Sequence, residues 1–552
     1  MLENAKQNRG HRAQDSDWSR PSLAGFIGAI VALILLAACG GHKMEVTTYH
    51  YDNLRTGWNS HEKKLTRANV HGPKFGLLDN VGLDDQVDTQ PLVMPHQKIT
   101  AGPDPGEHDV VYVATESDTV YAIDAHSGAI LLSPNFGPPV SWPIGCGNNG
   151  PNVGINGTPV IDRDNNAMYV ITYTVQGGSP MYFIHELDLS NLTDLVPPVQ
   201  VTASYALTDH STFKFNATYQ RQRPALVESH GNVYAGFGSF CDWGGNQSRG
   251  WILGWKKGTL TPLPANHLND SQATSPYPLF LSSIWMSGYG VSADDEGHLY
   301  FITGNSDGPP SPGATTYDGK TNIQESVVKM SPDLTTIVDL FTPSNMHDLD
   351  AGDTDYGSGG PLLLPFQSGP LPRIAAAAGK DGRLFLLNRD NMGGFTPGGP
   401  DKVVGLVNIG GCWCGQSYFS HEGVGHVVSS GGSSVIVWRA ETSPSFKLVQ
   451  VATSAGIGGA QDPGFFTSIS SDDSHEGIIW AISRPNNPSP ATISLFAFES
   501  LPSGGGSTLA TLFQGDAGTW PNTGGNANLV PVVANGKVYV ASYKQLSIFG
   551  LH

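Results

Sequence analysis

"VVYVATESDTVYAIDAHSGAI", residues 110–130, reads as two short strands with the polar turn "ESDT" between them and a Ser-Gly turn after them. Apolar alternation at period two, bounded by Gly, Asp and Asn turns, is the pattern of half-buried antiparallel strands. The same cadence returns in "NAMYVITYT" (166–174), "NVYAGFGSF" (232–240), "GHLYFITGNS" (297–306) and "RIAAAAGKDGRLFLLNRD" (373–390). It returns again in "GHVVSSGGSSVIVWRA" (425–440), "GIIWAISR" (477–484) and "GKVYVASYKQLSIFGL" (536–551). Most copies follow a short apolar strand that opens on a small residue or proline, such as "TQPLVM", "NGTPVID" or "GGPLLLP".

The copies recur every roughly 61 residues on average, and four short strands per ~40–60 residues is the signature of a propeller blade. The expected fold is therefore all-β: an eight-bladed propeller of four-stranded antiparallel blades. A pair of β-sandwiches would not show eight units in phase. The last copy ends after its third strand. "KFGLLDNVGLD" (74–84), ahead of the first full copy, is expected to supply the missing outer strand and close the ring. One toroid then absorbs a length that would otherwise suggest several domains. No long amphipathic helix competes with this reading.

Ahead of the repeats, residues 1–22 are polar and carry Lys6, Arg9, Arg12 and Arg20. The apolar run Leu23–Ala38 is shorter than the ~20 residues of a comfortable span and has the length of a signal-peptide core. It ends in Leu36-Ala37-Ala38-Cys39, which resembles a bacterial lipobox. The resemblance implies that Cys39 carries the lipid and begins the mature chain. Gly40 after it implies outer-membrane sorting. The expected organisation is a lipoprotein signal peptide (1–38), a lipidated lead-in segment (39–73) and the propeller (74–552). The expected location is the bacterial cell envelope, facing the periplasm.

The chain has 552 residues, 68 of them Gly, and a formal charge of −18. Without residues 1–38 the charge is about −19. Such an acidic surface excludes a nucleic-acid partner, which needs a basic face, and leaves membrane attachment to the lipid alone. The partners expected are a small-molecule substrate or a periplasmic protein, with the chain monomeric. Cys146, Cys241, Cys412 and Cys414 remain after Cys39. An even number outside the cytoplasm allows two disulfides in three pairings. Direct closure of Cys412 on Cys414 is sterically tight, so bonds from these to Cys146 or Cys241 are favoured, with redox or zinc roles as alternatives.

The repeat resembles that of the pyrroloquinoline-quinone (PQQ) propellers, the quinoprotein alcohol dehydrogenase-like superfamily. The residues that carry the likeness are Tyr121, Ala122, Asp124, Ser127 and Gly128, together with the lead-in "YHYDNLRTGWN…KKLTRANV" (49–70). Some members of that superfamily are dehydrogenases. Others bind no cofactor, such as the lipoprotein scaffold of the outer-membrane barrel-assembly machinery.

In such a ring, the links between blades and between second and third strands share one face. That face should hold "WPIGCGNNGPNVGINGTP" (142–159), "SFCDWGGNQSRGW" (239–251) and "GGCWCGQSYF" (410–419), hence all four cysteines. The dehydrogenases place a disulfide of adjacent cysteines above the quinone and a tryptophan below it. This chain has no Cys-Cys, and Gly147 follows Cys146. Trp285 in "SSIWMSGYG" is the candidate floor, with Trp413 a second candidate.

"NMHDLDAGDTDYGSGGP" (345–361) holds His347, Asp348, Asp350, Asp353 and Asp355. "HDLD" and "DTDY" resemble the segment that delivers the family's catalytic base and a calcium contact. Carboxylates at alternate positions on a Gly-containing loop also suit calcium by themselves. Asp348, Asp350, Asp353 and Asp355 are thus the candidate bases and metal ligands. Arg221 and Arg223 are candidate clamps for the quinone's carboxylates, with Lys380 and Arg383 near the fifth blade. His421 and Glu422 form a further polar pair after the Cys-Trp-Cys loop.

Two functions follow. One is a dehydrogenase using PQQ and calcium to oxidise an alcohol, polyol or sugar. The other is a cofactor-free binding or assembly scaffold.

Overall fold

Strands Leu92–Ile99, Gly106–Ala114, Val120–Asp124 and Ile130–Leu132 pair in that order as one antiparallel sheet, with Tyr112 opposite Ala122. This is the opening repeat of the sequence, formed as read. The turn after its third strand is fixed by Asp124, whose Oδ1 accepts from the His126 and Ser127 amides. The structure is a computed structural model and describes residues 43–147, 150–243, 247–274, 280–306, 317–457, 463–473, 475–483, 490–521 and 528–552. The signal segment and Cys39 lie outside the described residues.

The plan repeats along the chain. The described residues form eight sheets of three to five strands, many of them four-stranded and antiparallel, and two small ribbons. With 46% strand and 5% helix the class is all-β, and the arrangement matches a propeller. Strand Phe75–Gln86 pairs antiparallel with the C-terminal strand Lys537–Leu551, placing Leu77 opposite Phe549. An otherwise open edge of the last sheet is thereby paired.

The core lies in the seams between neighbouring sheets. Trp480, Ile493 and Leu495 pack against Val538, Val540 and Phe549 of the next sheet. Each such buried side chain contributes ~1.5–3 kcal/mol by leaving water. The inner strands are narrow and fully buried, as in Ile374–Ala378.

The lead-in segment bonds to each of the eight sheets, and its links to the first seven follow chain order. Val46 exchanges main-chain bonds with Val93, and the Ile161 amide donates to Thr47 O. Asn53 reaches Glu228 and Ala293 of the next two sheets. The amides of Leu363, Tyr418 and Ile469 donate to the carbonyls of Leu54, Thr56 and Gly57. Asn59 Nδ2 and Tyr51 OH both reach the Val533 carbonyl of the last sheet. Gly57 adopts φ +66°, and a Cβ there would stand 2.7 Å from Ser417 Oγ, so only glycine fits this passage. At the centre the rings of Tyr49, His50 and Tyr289 pack together, and Tyr289 OH bonds the carbonyls of Arg55 and Gln416.

Candidate active site at the inter-sheet loops

The loops expected on one face do meet. Cys146, between the first and second sheets, bonds Cys241, from a loop within the third. Cys412 bonds Cys414, with their Cα atoms 4.8 Å apart. This second bond corrects the expectation that Cys412 and Cys414 would reach across to other loops. One intervening residue bends the chain enough to bring the Cα atoms within the usual 4.4–6.8 Å range. The Cys146–Cys241 bond joins two loops, but it also departs from the expectation, which paired each of these cysteines with Cys412 or Cys414.

Left-handed non-glycine residues occur in these loops, as they do at sixteen other described positions. Trp142, Ile144, Cys241, Asp242, Ser282, Met286, Ser287 and Asp353 all have φ between +42° and +54°. Such left-handed non-glycine residues cost ~1–3 kcal/mol each and persist where the surroundings force them, which is most often at functional sites. Two of them, Met286 and Ser287, directly follow Trp285 in a tight turn, Met286–Gly288. Ser287 Oγ donates to Ser358 O at 2.7 Å, tying that turn to the next inter-sheet link.

Trp285 is half-buried, with one ring edge against Gly304. A Cβ on Gly304 would stand 3.0 Å from both Trp285 Nε1 and Asp355 Oδ1, so glycine lets the indole and the carboxylate approach. The Arg223 guanidinium sits 5.2 Å from the Trp285 ring centre. Lys380 Nζ lies 5.7 Å from the Trp285 ring and 5.5 Å from the Trp413 ring. Both expected tryptophans, one expected arginine and the expected lysine thus converge, from four separate stretches of chain.

Asp355 joins them. Its side chain is 3% exposed; Oδ2 stands 2.5 Å from Lys380 Nζ and Oδ1 accepts from the Asn305 amide at 2.8 Å. Lys380 Nζ also meets Asp353 Oδ1 at 3.0 Å and Asp353 O at 2.9 Å. These partners hold the lysine pKa above its ordinary value, although burial opposes them. Asp242 is close by on the exposed edge of its loop: crowding by the surrounding loops and the Asp355 charge push its carboxyl up to about 6.

The other acidic candidates separate. Asp350 is buried and accepts from the Ser306 amide at 2.9 Å. Asp348 points to solvent from the short helix Met346–Ala351, which also carries His347, so the cluster read as one ligand set is divided by that helix. Glu325, which sequence reading missed, lies against Asp355 and Asp350; burial, with their charges, pushes its pKa well up.

Arg221 and Arg223 also part. Arg221 Nε donates to Asn156 Oδ1 at 3.1 Å and belongs to a second buried group with Asp88 and Glu116. Glu116 accepts from the Gly154 amide and from Asn156 Nδ2. Burial, with Asp88 beside it, raises its pKa well above the ordinary carboxylate range. Arg383 pairs with Asp381 and donates to Asn345. His421 and Glu422 are not near this site, which corrects their expected place. They form the turn after strand Ser417–His421, and five residues at ~3.3 Å each carry the chain to the far face.

The donor set fits PQQ in kind: a partly exposed indole, two cations by its ring and a carboxylate at its edge suit a planar polycarboxylate. A calcium ion does not fit. Both oxygens of Asp355 are engaged, by an ammonium and by an amide, and the described residues bring no three metal-ligating side chains together.

No family model and no curated protein matches the chain. Solved structures do. The quinohemoprotein alcohol dehydrogenase from Comamonas testosteroni aligns over 92% of this chain and 80% of its own, at 13% identity and a TM-score of 0.59. The quinohemoprotein alcohol dehydrogenase ADHIIG from Pseudomonas putida HK5 aligns over the same shares at 13% identity and 0.58. A europium-containing methanol dehydrogenase aligns over 92% and 98%, at 12% identity and 0.58. The chain shares the propeller fold of these structures. At such identities the likeness carries this PQQ-type propeller fold and leaves the chemistry to the site itself.

Proposed function

We propose that this chain is a quinoprotein-type dehydrogenase of the cell envelope, built as an eight-bladed ring closed by strand Phe75–Gln86 and anchored through a lipid on Cys39. Its substrate class would be an alcohol, polyol or sugar. One observation carries the reading: Trp285, Arg223, Lys380 and Asp355 come from separate loops and meet at one indole face. Packing of blades alone does not require two cations above a half-exposed tryptophan.

In this reading Trp285 stacks the planar ring, Arg223 holds a carboxylate of it, and the Lys380 charge attracts its oxygens. PQQ, when bound, supplies a two-electron acceptor. Asp355 would take the substrate hydroxyl proton, and Trp413 would restrict water from above.

The test is a PQQ titration of the purified full chain in detergent, followed by tryptophan quenching. Saturable quenching that Trp285→Ala and Arg223→Ala each weaken about tenfold or more supports the reading, since a stacked ring and a charge-assisted clamp are each worth about 1–3 kcal/mol. No binding to the folded chain refutes it.

One observation favours the scaffold reading. Trp142 and Trp243 are 52% and 49% exposed beside the Cys146–Cys241 bond, and exposed rim aromatics suit a protein contact. Capture of an envelope protein that Trp243→Ser abolishes, in a chain blind to PQQ, would decide for it.

A further inference from the structure

The donor set at the site disagrees with the calcium expected beside Asp355, and Lys380 explains the disagreement. We propose that the Lys380 ammonium is itself the cation of this site, standing where the carboxylates would otherwise draw a divalent metal.

The position is built for an ammonium. Nζ meets three oxygens, from Asp355 Oδ2, Asp353 Oδ1 and Asp353 O, at 2.5, 3.0 and 2.9 Å. An ammonium has three donors, and these contacts use them all. Two indole faces, Trp285 and Trp413, flank it at 5.7 and 5.5 Å. Aromatic faces suit a lysine ammonium or an organic cation; a small hard ion instead wants six to eight oxygens. The lysine is also anchored at its own main chain, where its amide donates to Asp355 O at 3.0 Å. Base and cation are therefore fastened to each other twice, once through side chains and once through backbone. Trp413 is held in turn by the Cys412–Cys414 bond on either side of it and by its amide bond to Pro463 O.

A divalent ion could enter only by displacing the ammonium, which would then stand unpaired and repel it at short range. Lys380 would do part of a metal's work instead, fixing the orientation of Asp355 and offering positive charge to a ligand oxygen. It is a positioning residue for Asp355 as well as a contact for the ligand. The assignment rests on the geometry around Nζ and stands whether or not the ligand is PQQ.

The probes are terbium, whose luminescence the two tryptophans would sensitise, and calcium, followed by calorimetry and melting temperature. The full chain in detergent is expected to show no saturable terbium signal and no shift with calcium or EDTA. Lys380→Met keeps the length and removes the charge. Folded, by circular dichroism and a cooperative melt, it is expected to gain terbium binding at least ~10-fold over the parent, as the carboxylates lose their cation. Adding Asp355→Asn is expected to remove the gain.

Saturable terbium or calcium binding by the parent chain, lost in Asp355→Asn, would overturn the assignment. So would a folded Lys380→Met that gains nothing. If Lys380→Met does not fold, the titration of the parent chain decides alone. Running PQQ with and without EDTA separates the two readings. PQQ binding abolished by EDTA sinks the lysine assignment and keeps the quinone. A metal-blind chain that also ignores PQQ sinks the dehydrogenase and keeps the lysine.

Discussion

Arg55 grips the main-chain carbonyl of Val291 with two donors, Nε at 3.0 Å and Nη2 at 2.6 Å. The same guanidinium donates to the carbonyls of Leu226 and Tyr49 and to Thr48 Oγ1. Arg55 is fully buried and joins the lead-in segment to the third and fourth sheets. Arg55→Ala would orphan buried carbonyls at about 1–3 kcal/mol each, so a loss of at least ~3 kcal/mol is expected. Arg55→Lys keeps the charge and loses the fork, and should recover only part of that. Urea denaturation of the three chains checks this. A loss below ~1 kcal/mol in Arg55→Ala would show that the lead-in is not integral to the ring.

The two disulfides should differ sharply in what they contribute. Cys146 and Cys241 are 95 residues apart, whereas Cys412 and Cys414 are two apart. Loop closure of the first constrains the unfolded chain by about 4–5 kcal/mol in the entropy model, and the second closes almost nothing. Replacing the first pair by serine should lower the denaturation midpoint clearly. Replacing the second should leave stability nearly unchanged and alter Trp413 instead, seen as a change in tryptophan emission. Peptide mapping under non-reducing conditions checks the pairing itself, and a Cys146–Cys414 peptide would refute it.

The repeats, the inter-sheet loops and the two tryptophans were legible because each rests on local text: strand alternation, Gly-rich links, a lone aromatic at a blade's start. Asp355 was legible only as one of four carboxylates, since the short helix Met346–Ala351 that turns Asp348 outward has no strong signal in "MHDLDA". Glu325 was missed although it leaves a trace, a single acid just ahead of the apolar strand Val327–Met330. The Lys380–Asp355 contact spans two loops, so no spacing rule could announce it. The path of the lead-in segment was illegible for another reason. Most of its links to the sheets use main-chain groups, which any sequence possesses.

Glu116 gives the fold a pH dependence of definite sign. Its folded pKa lies above the ordinary ~4.3, so the native state holds a proton that the unfolded chain releases. Its contribution is therefore complete below the unfolded pKa and is lost as pH rises through the folded pKa. Glu116→Gln stays neutral throughout. It is expected to be more stable than the parent at pH 8 and to lose that advantage toward pH 4. Melting curves across this range check the sign, and an advantage that instead grows at low pH would contradict a protonated Glu116.

Asp242 titrates closer to neutrality and faces the site. With its carboxyl raised to about 6, it is neutral at pH 5 and charged at pH 7.5. For stability the sign matches that of Glu116: the folded group favours its proton, so stability falls as pH rises from the unfolded carboxylate range through about 6. For ligand binding the consequence is electrostatic. At pH 7.5 a polycarboxylate drawn to Arg223 and Lys380 meets one more negative charge than at pH 5. Binding of an anionic planar ligand should tighten as pH falls through about 6, and Asp242→Asn should bind at pH 7.5 as the parent binds at pH 5. Quenching titrations at the two pH values check both statements. Affinity that falls on acidification in the parent and is unmoved by Asp242→Asn would place the anion elsewhere than over Trp285.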